Sequence, residues 1–174
     1  MFLRLILMRH AKSSWKKPVS DHDRDLNKRG YLSAATMGNW LRKNDFIPDE
    51  SLISTSKRTR ETFKELKIKS KKVQFLSNLY HPNLQEMLDA LKSAQGKTVL
   101  IISHNTACAE FAEKLANVPP NHKRFYDFPT CATWIADFNI DSWRDVQFGI
   151  GKTVAFVIPR EVICADELKY PKRR

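Results

Sequence analysis

Phe2-Leu3-Arg4-Leu5-Ile6-Leu7-Met8-Arg9-His10 is an apolar run that stops on a guanidinium and an imidazole. A near-continuous run of this kind predicts a central strand over residues 2–8, covered on both faces. In open α/β sheets, ligands bind outside the carboxyl ends of the strands. A strand ending on Arg9 and His10 therefore delivers both groups to such an edge. Arginine offers a fork of donors that suits phosphate, and a neutral imidazole offers a nucleophilic nitrogen. The run is mildly like a secretory leader, but Arg4 breaks it and no small-residue cleavage site follows, so it reads as a buried strand.

A second strand ends the same way. Lys97-Thr98-Val99-Leu100-Ile101-Ile102 runs into Ser103-His104-Asn105. If these two strands are parallel neighbours, His10 and His104 emerge at one edge of the sheet. A third, Ser51-Leu52-Ile53-Ser54, leads into Thr55-Ser56-Lys57-Arg58-Thr59. Ser56 is suited to cap a helix over about 57–67, which puts Arg58 on its first turn. Two histidines and two arginines around one dianion make a coherent phosphoryl-transfer site. One imidazole attacks phosphorus, while the arginines neutralise the equatorial oxygens.

The remaining segments fill in an alternating pattern. Residues 11–27 read as a loop and 28–44 as a helix with Leu32, Ala35, Met37 and Leu41, with Trp40, near one stripe. Val73–Leu76 reads as a strand, and Asn83 caps a helix over 84–94. A helix over 106–117 ends at Pro119-Pro120, and strands follow over 131–138 and 152–158. The tail from Lys169 to Arg174 is basic and reads as loose. The pattern predicts one domain over residues 1–174, a three-layer α/β/α sandwich with a mostly parallel central sheet.

The chain has 174 residues, 42% apolar and 28% charged, with a formal net charge of +11. The charge favours anionic partners without choosing between nucleic acid, a membrane surface and a phosphorylated substrate. Cys108, Cys131 and Cys164 have no zinc or disulfide spacing, so reduced thiols in the cytoplasm and no structural metal are expected. Arginine and histidine take the place of a metal around the dianion, so no cofactor is expected either. No segment approaches a membrane span.

Arg9-His10 resembles the Arg-His-Gly motif of the histidine phosphatase superfamily, the phosphoglycerate mutase-like proteins, with Ala11 in place of glycine. Ser54-Thr55-Ser56-Lys57-Arg58-Thr59-Arg60-Glu61-Thr62 is similar to its Ser-Pro-x-x-Arg-Ala-x-x-Thr motif, and Ser103-His104-Asn105 to its late histidine motif. The small size resembles the SixA-type branch, the phosphohistidine phosphatases. So does Arg24-Asp25-Leu26-Asn27-Lys28-Arg29-Gly30, with Asn27 in place of threonine. The resemblance implies a metal-independent phosphatase with His10 as nucleophile and Arg9, Arg58 and His104 as the phosphate pocket. It also implies a phosphorylated protein as substrate. A small phosphate ester is the alternative, and a non-catalytic phosphate- or nucleic-acid-binding module the third.

Further contacts are expected from Arg24, Asn105 and Ser13. Arg24 either meets the anion or pairs with Asp21, Asp23 or Asp25. Asn105 is read first as a helix cap and second as a phosphate contact. The superfamily's larger members carry an acid after the third strand; here that region offers Glu86, which falls inside a helix. A good leaving group relaxes that need. His22, His81 and His122 read as solvated loop residues, and Trp15, Trp40, Trp134 and Trp143 as packing residues. The lysine-rich run over 64–72 reads as a solvated helix end, with no nucleic-acid-binding pattern.

Overall fold

The computed structural model describes residues 2–169, with side chains through 165. The expectation of a loose tail concerns residues that lie mostly outside that range. A six-stranded sheet in the order β3-β2-β4-β1-β5-β6 carries the fold. Its strands are β1 (Leu3–Arg9), β2 (Glu50–Ser54), β3 (Lys72–Leu76), β4 (Thr98–Ser103), β5 (Thr133–Phe138) and β6 (Lys152–Val157). β3, β2, β4 and β1 run parallel, while β5 pairs antiparallel with both β1 and β6. The helices are α1 (Lys28–Lys43), α2 (Lys57–Leu66), α3 (Leu84–Ser93), α4 (Ala107–Leu115) and α5 (Pro159–Lys169).

Strand alternation splits the core into two layers. Leu5, Leu7, Val99 and Ile101 face α3 and α4. Ile6, Met8, Leu100 and Ile102 face α1 and α2, with Val162 of α5. Right-handed crossovers explain the division. β1-α1-β2 and β2-α2-β3 travel one way along the sheet, and β3-α3-β4 returns, so α3 must cover the other face. No helix among the described residues is long and apolar enough to cross a membrane.

Two details differ from the sequence reading. Leu32 is 60% exposed, because the buried stripe of α1 is Ala34, Met37 and Leu41. Gly38 belongs to that stripe: a Cβ there would lie 2.1 Å from the Leu66 carbonyl oxygen, so its absence lets α1 approach α2. Helix α5 follows β6 with no strong apolar period to announce it. Pro159 at its first position, where the missing N–H costs nothing, is the signal that marks it.

Candidate active site

β1 and β4 lie side by side, with Arg9 opposite Ser103. The His10 amide donates to the Ser103 carbonyl at 3.0 Å. The chain then leaves β1 toward one face of the sheet and β4 toward the other. That divergence opens a crevice at the strand ends, where α/β sheets hold ligands. His10 and His104 stand in it with ring centroids 5.1 Å apart.

Each imidazole is fixed in one tautomer. His10 Nδ1 lies 2.7 Å from the Ala11 carbonyl oxygen, which only accepts, so Nδ1 carries the proton. His10 Nε2 is left with a lone pair, toward which Arg58 Nε donates at 3.3 Å. His104 Nδ1 lies 3.3 Å from Arg58 Nη2, which only donates, so the proton of His104 sits on Nε2 and goes to Ser54 Oγ at 2.8 Å. Burial, reinforced by Arg58, Arg9 and Arg24, pulls the His10 pKa down to about 3. Burial, with His10, Arg58 and His81, pulls His104 down to about 2. Both rings are neutral near pH 7.

Local structure explains how Arg58 reaches this point. Ser56 caps α2, accepting from the Thr59 amide at 3.5 Å, and the first helical turn carries Arg58 into the crevice, 2% exposed. Thr62, one turn on, accepts from the Ala11 amide at 3.0 Å and donates to the Arg58 carbonyl at 2.6 Å. The late threonine of the motif therefore ties the loop carrying His10 to the helix carrying Arg58. Arg9 donates to the Phe128 carbonyl at 3.2 Å, and its buried Nε has no partner among the described residues. A buried, unmet donor beside His10 suits an anion.

The structure also places Arg24, Ser13 and Asn105. Arg24 is buried, donates to Ser13 Oγ at 2.8 Å and to Asp21 at 3.0 Å, and packs 3.5 Å over the Trp15 ring. Of the three aspartates weighed for it, Asp21 is the partner. Ser13 keeps its own hydroxyl proton to donate. Asn105 is not the helix cap, since Thr106 holds that position. Its Nδ2 donates to the Asp127 and Phe128 carbonyls at 2.9 and 3.3 Å, and the atom left over, Oδ1, is an acceptor. Asn105 thus braces the loop after α4, with both of its side-chain N–H groups engaged.

Asp21 is the functional candidate that sequence reasoning missed. Its carboxylate accepts from Arg58 Nη2 at 3.0 Å and Tyr80 Oη at 2.7 Å, and contacts His81 Nε2 at 3.2 Å. Partial burial pushes its pKa up, but Tyr80, Arg58 and His81 outweigh that and hold it well below the ordinary carboxylate range. The signal available was the Asp21-His22-Asp23-Arg24 run, which sets charged groups in a loop before the helix. His81 is not simply solvated: its ring stands 5.3 Å from His104 and 4.2 Å from Tyr80. His22 bonds Thr55, and His122 bonds Glu161. Trp15 is 75% exposed and serves as a platform for Arg24 rather than as core. Glu86 accepts from the Asn83 amide at 2.8 Å in a capping box, which commits it to α3. Among the described residues, no group of three or more His, Cys, Asp and Glu side chains is arranged to hold a metal ion.

The model of the histidine phosphatase superfamily (branch 1) matches residues 5–88, the stretch that contains Arg9, His10 and Arg58. The chain belongs to the histidine phosphatase superfamily. An uncharacterised protein of Mycobacterium leprae is 32% identical over 164 residues, covering 88% of this chain and all of that one. The fold of this superfamily member is similar to that of SixA from Nakamurella multipartitia, with a TM-score of 0.82 and 24% identity over 91% of this chain and 97% of the other. It is also similar to the protein histidine phosphatase SixA complexed with tungstate, with a TM-score of 0.73 and 20% identity over 92% and 99% of the two chains.

Proposed function

We propose that this chain is a metal-independent phosphatase that removes the phosphoryl group from a phosphohistidine in a partner protein, through a phosphohistidine of its own on His10. The observation that carries the reading is the fixed lone pair of His10 Nε2 with Arg58 directed at it. His10 Nε2 attacks phosphorus, the bond from phosphorus to the substrate nitrogen breaks, and the departing imidazole takes a proton. Water then attacks the phosphoryl group on His10, giving inorganic phosphate and free His10. Arg9 and Arg58 neutralise the oxygens in both steps.

Two features support a nitrogen leaving group. Glu86 is spent on a helix cap, and Asp21 is held ionised, so neither carboxyl is poised to protonate an alkoxide. A protonatable imidazole leaves without a strong acid beside it.

The test uses a histidine peptide phosphorylated with phosphoramidate. The wild type is expected to release phosphate, and His10→Ala to lose turnover by at least about 10³-fold. Rapid quenching should trap an acid-labile, alkali-stable label on the wild type. Unchanged turnover in His10→Ala, or an acid-stable label, overturns the mechanism. A higher kcat/KM for p-nitrophenyl phosphate than for any phosphohistidine peptide assigns the site to small esters instead.

A further inference from the structure

Beside the phosphate pocket lies an open groove of about 650 Å³ between α2 and β3. Lys57, Arg60 and Lys64 line it, all exposed and spaced three and four residues apart on α2. That spacing puts the three cations on one face of the helix, in a row about 10 Å long. The row starts at the α2 N-terminus, one residue from Arg58, and runs outward along the face.

The opposite wall is apolar. β3 is an edge strand with β2 as its sheet partner, and it leaves Val73 38% and Phe75 48% exposed. Phe75 lines the groove with Phe63, and Arg60 sits 5.3 Å over the Phe75 ring. Two acids also line the groove, and Lys57 stands 3.9 Å from the Asp25 carboxylate. Glu61 accepts from the Leu26 amide at 2.7 Å, and Asp23 from the Ser20 hydroxyl at 2.7 Å. Arg60 and Lys64, neither of which is ion-paired among the described residues, carry the positive charge that an incoming chain meets along the outer part of the row.

The groove and the phosphate pocket share one rim. His22 lines the groove and bonds Thr55 at 3.0 Å, while the adjacent Asp21 bonds Arg58. A small phosphorylated molecule held by Arg58 does not extend along a 10 Å row of cations, whereas a polypeptide does.

We propose that this groove receives an acidic segment flanking the phosphorylated side chain of the substrate protein, with carboxylates along Lys57, Arg60 and Lys64 and an apolar side chain against Phe75. The inference deepens the phosphoprotein reading and rests on it. The choice of occupant follows from charge complementarity: three exposed cations beside an aromatic wall match carboxylates interrupted by an apolar residue.

The test compares two synthetic phosphohistidine peptides, one flanked by Glu-Glu-Leu-Glu and one by Gly-Ser-Gly-Ser, with p-nitrophenyl phosphate as the small substrate. The wild type is expected to favour the acidic peptide at least tenfold in kcat/KM, mainly through KM. The double substitution Arg60→Glu with Lys64→Glu is expected to abolish that preference. Turnover of p-nitrophenyl phosphate, which does not reach the groove, should stay within twofold. Binding of the unphosphorylated acidic peptide, read by fluorescence anisotropy, should be lost in the same variant. Equal kcat/KM for the two peptides on the wild type, or a preference that survives the double substitution, overturns the docking proposal. Preferential binding of the acidic peptide without hydrolysis of either phosphopeptide keeps the docking surface and overturns the substrate reading instead.

Discussion

His10 Nδ1 lies 2.7 Å from the carbonyl oxygen of Ala11, and this contact decides which ring nitrogen can react. The Ala11 peptide is in turn held by Thr62, which accepts from its amide and also donates to the Arg58 carbonyl. Thr62→Val keeps the shape and removes both bonds. It leaves the buried Ala11 amide unpaired, at a cost of about 1–3 kcal/mol, while the Arg58 carbonyl keeps its partner within α2. The expected result is a lower Tm and a kcat reduced by about tenfold or more, because the imidazole loses its fixed tautomer. Parallel kinetics and thermal unfolding check this; a lower Tm with unchanged kcat removes Thr62 from the positioning of His10.

Asp21 competes with any incoming anion for Arg58. Its carboxylate is partly exposed, so the pair is worth only about 0.2–1 kcal/mol. Asp21→Asn is expected to tighten inhibition by inorganic phosphate or vanadate by about two- to fivefold, since Arg58 then meets the anion without a rival. kcat should fall in the same variant, because Asp21 also orients Arg24, Tyr80 and His81. Weaker inhibition would mean that Asp21 organises the pocket more than it blocks it.

His104 presents a lone pair, not a proton, to the centre of the pocket. Its low pKa comes from burial and from neighbouring cations. A bound dianion reverses the local charge and favours the imidazolium. Phosphate or vanadate binding at pH 6–7 is therefore expected to take up a proton. Calorimetry in buffers of different ionisation enthalpy measures that uptake, and His104→Gln should abolish it. Uptake unchanged in His104→Gln places the proton elsewhere.

The same pKa values set the acid stability. His10 and His104 titrate near 6.5 when unfolded and at about 3 and about 2 when folded. Between those values the unfolded chain binds more protons, so stability falls as pH drops below 6.5. Each group contributes up to about 1.4 kcal/mol per pH unit in that window. Denaturant midpoints measured from pH 7.5 to 5 should fall, and the fall should be shallower in His104→Gln. An identical slope in that variant argues against a buried, neutral His104.

The two strand ends were legible because period and chemistry coincide there: apolar runs stop on Arg9-His10 and on Ser103-His104, and the fold pairs them directly. Arg58 was legible through Ser56, a cap that fixes the phase of its helix. Asp21 was not, because its role depends on contacts with residues 37 and 59 positions away, and no local period encodes where a loop folds back. Trp15 and His81 misled for the same reason. An aromatic or imidazole in a loop has no fixed face, so sequence alone assigns it to core or solvent by type. Asn105 was misread by a single residue, as Thr106 takes the cap and frees Asn105 to reach across to residues 127 and 128.

Gly30 gives the most direct test of how the loop after His10 is seated. It occupies the first turn of α1, where its amide donates to the Asn27 cap at 2.9 Å. A Cβ at Gly30 would lie 2.1 Å from the Lys12 carbonyl oxygen, an atom that already accepts from the Asn27 amide. Helix propensity favours Gly30→Ala by about 1 kcal/mol. The collision is with backbone two residues beyond His10, so it must outweigh that gain by moving either α1 or the loop after His10. The expected outcome is a clear loss of both Tm and turnover. Gly38→Ala, whose Cβ meets the Leu66 carbonyl oxygen at the same 2.1 Å far from the loop, should lower Tm with a smaller effect on kcat. If both variants lose Tm and kcat in the same proportion, the seating of Lys12 has no special bearing on His10.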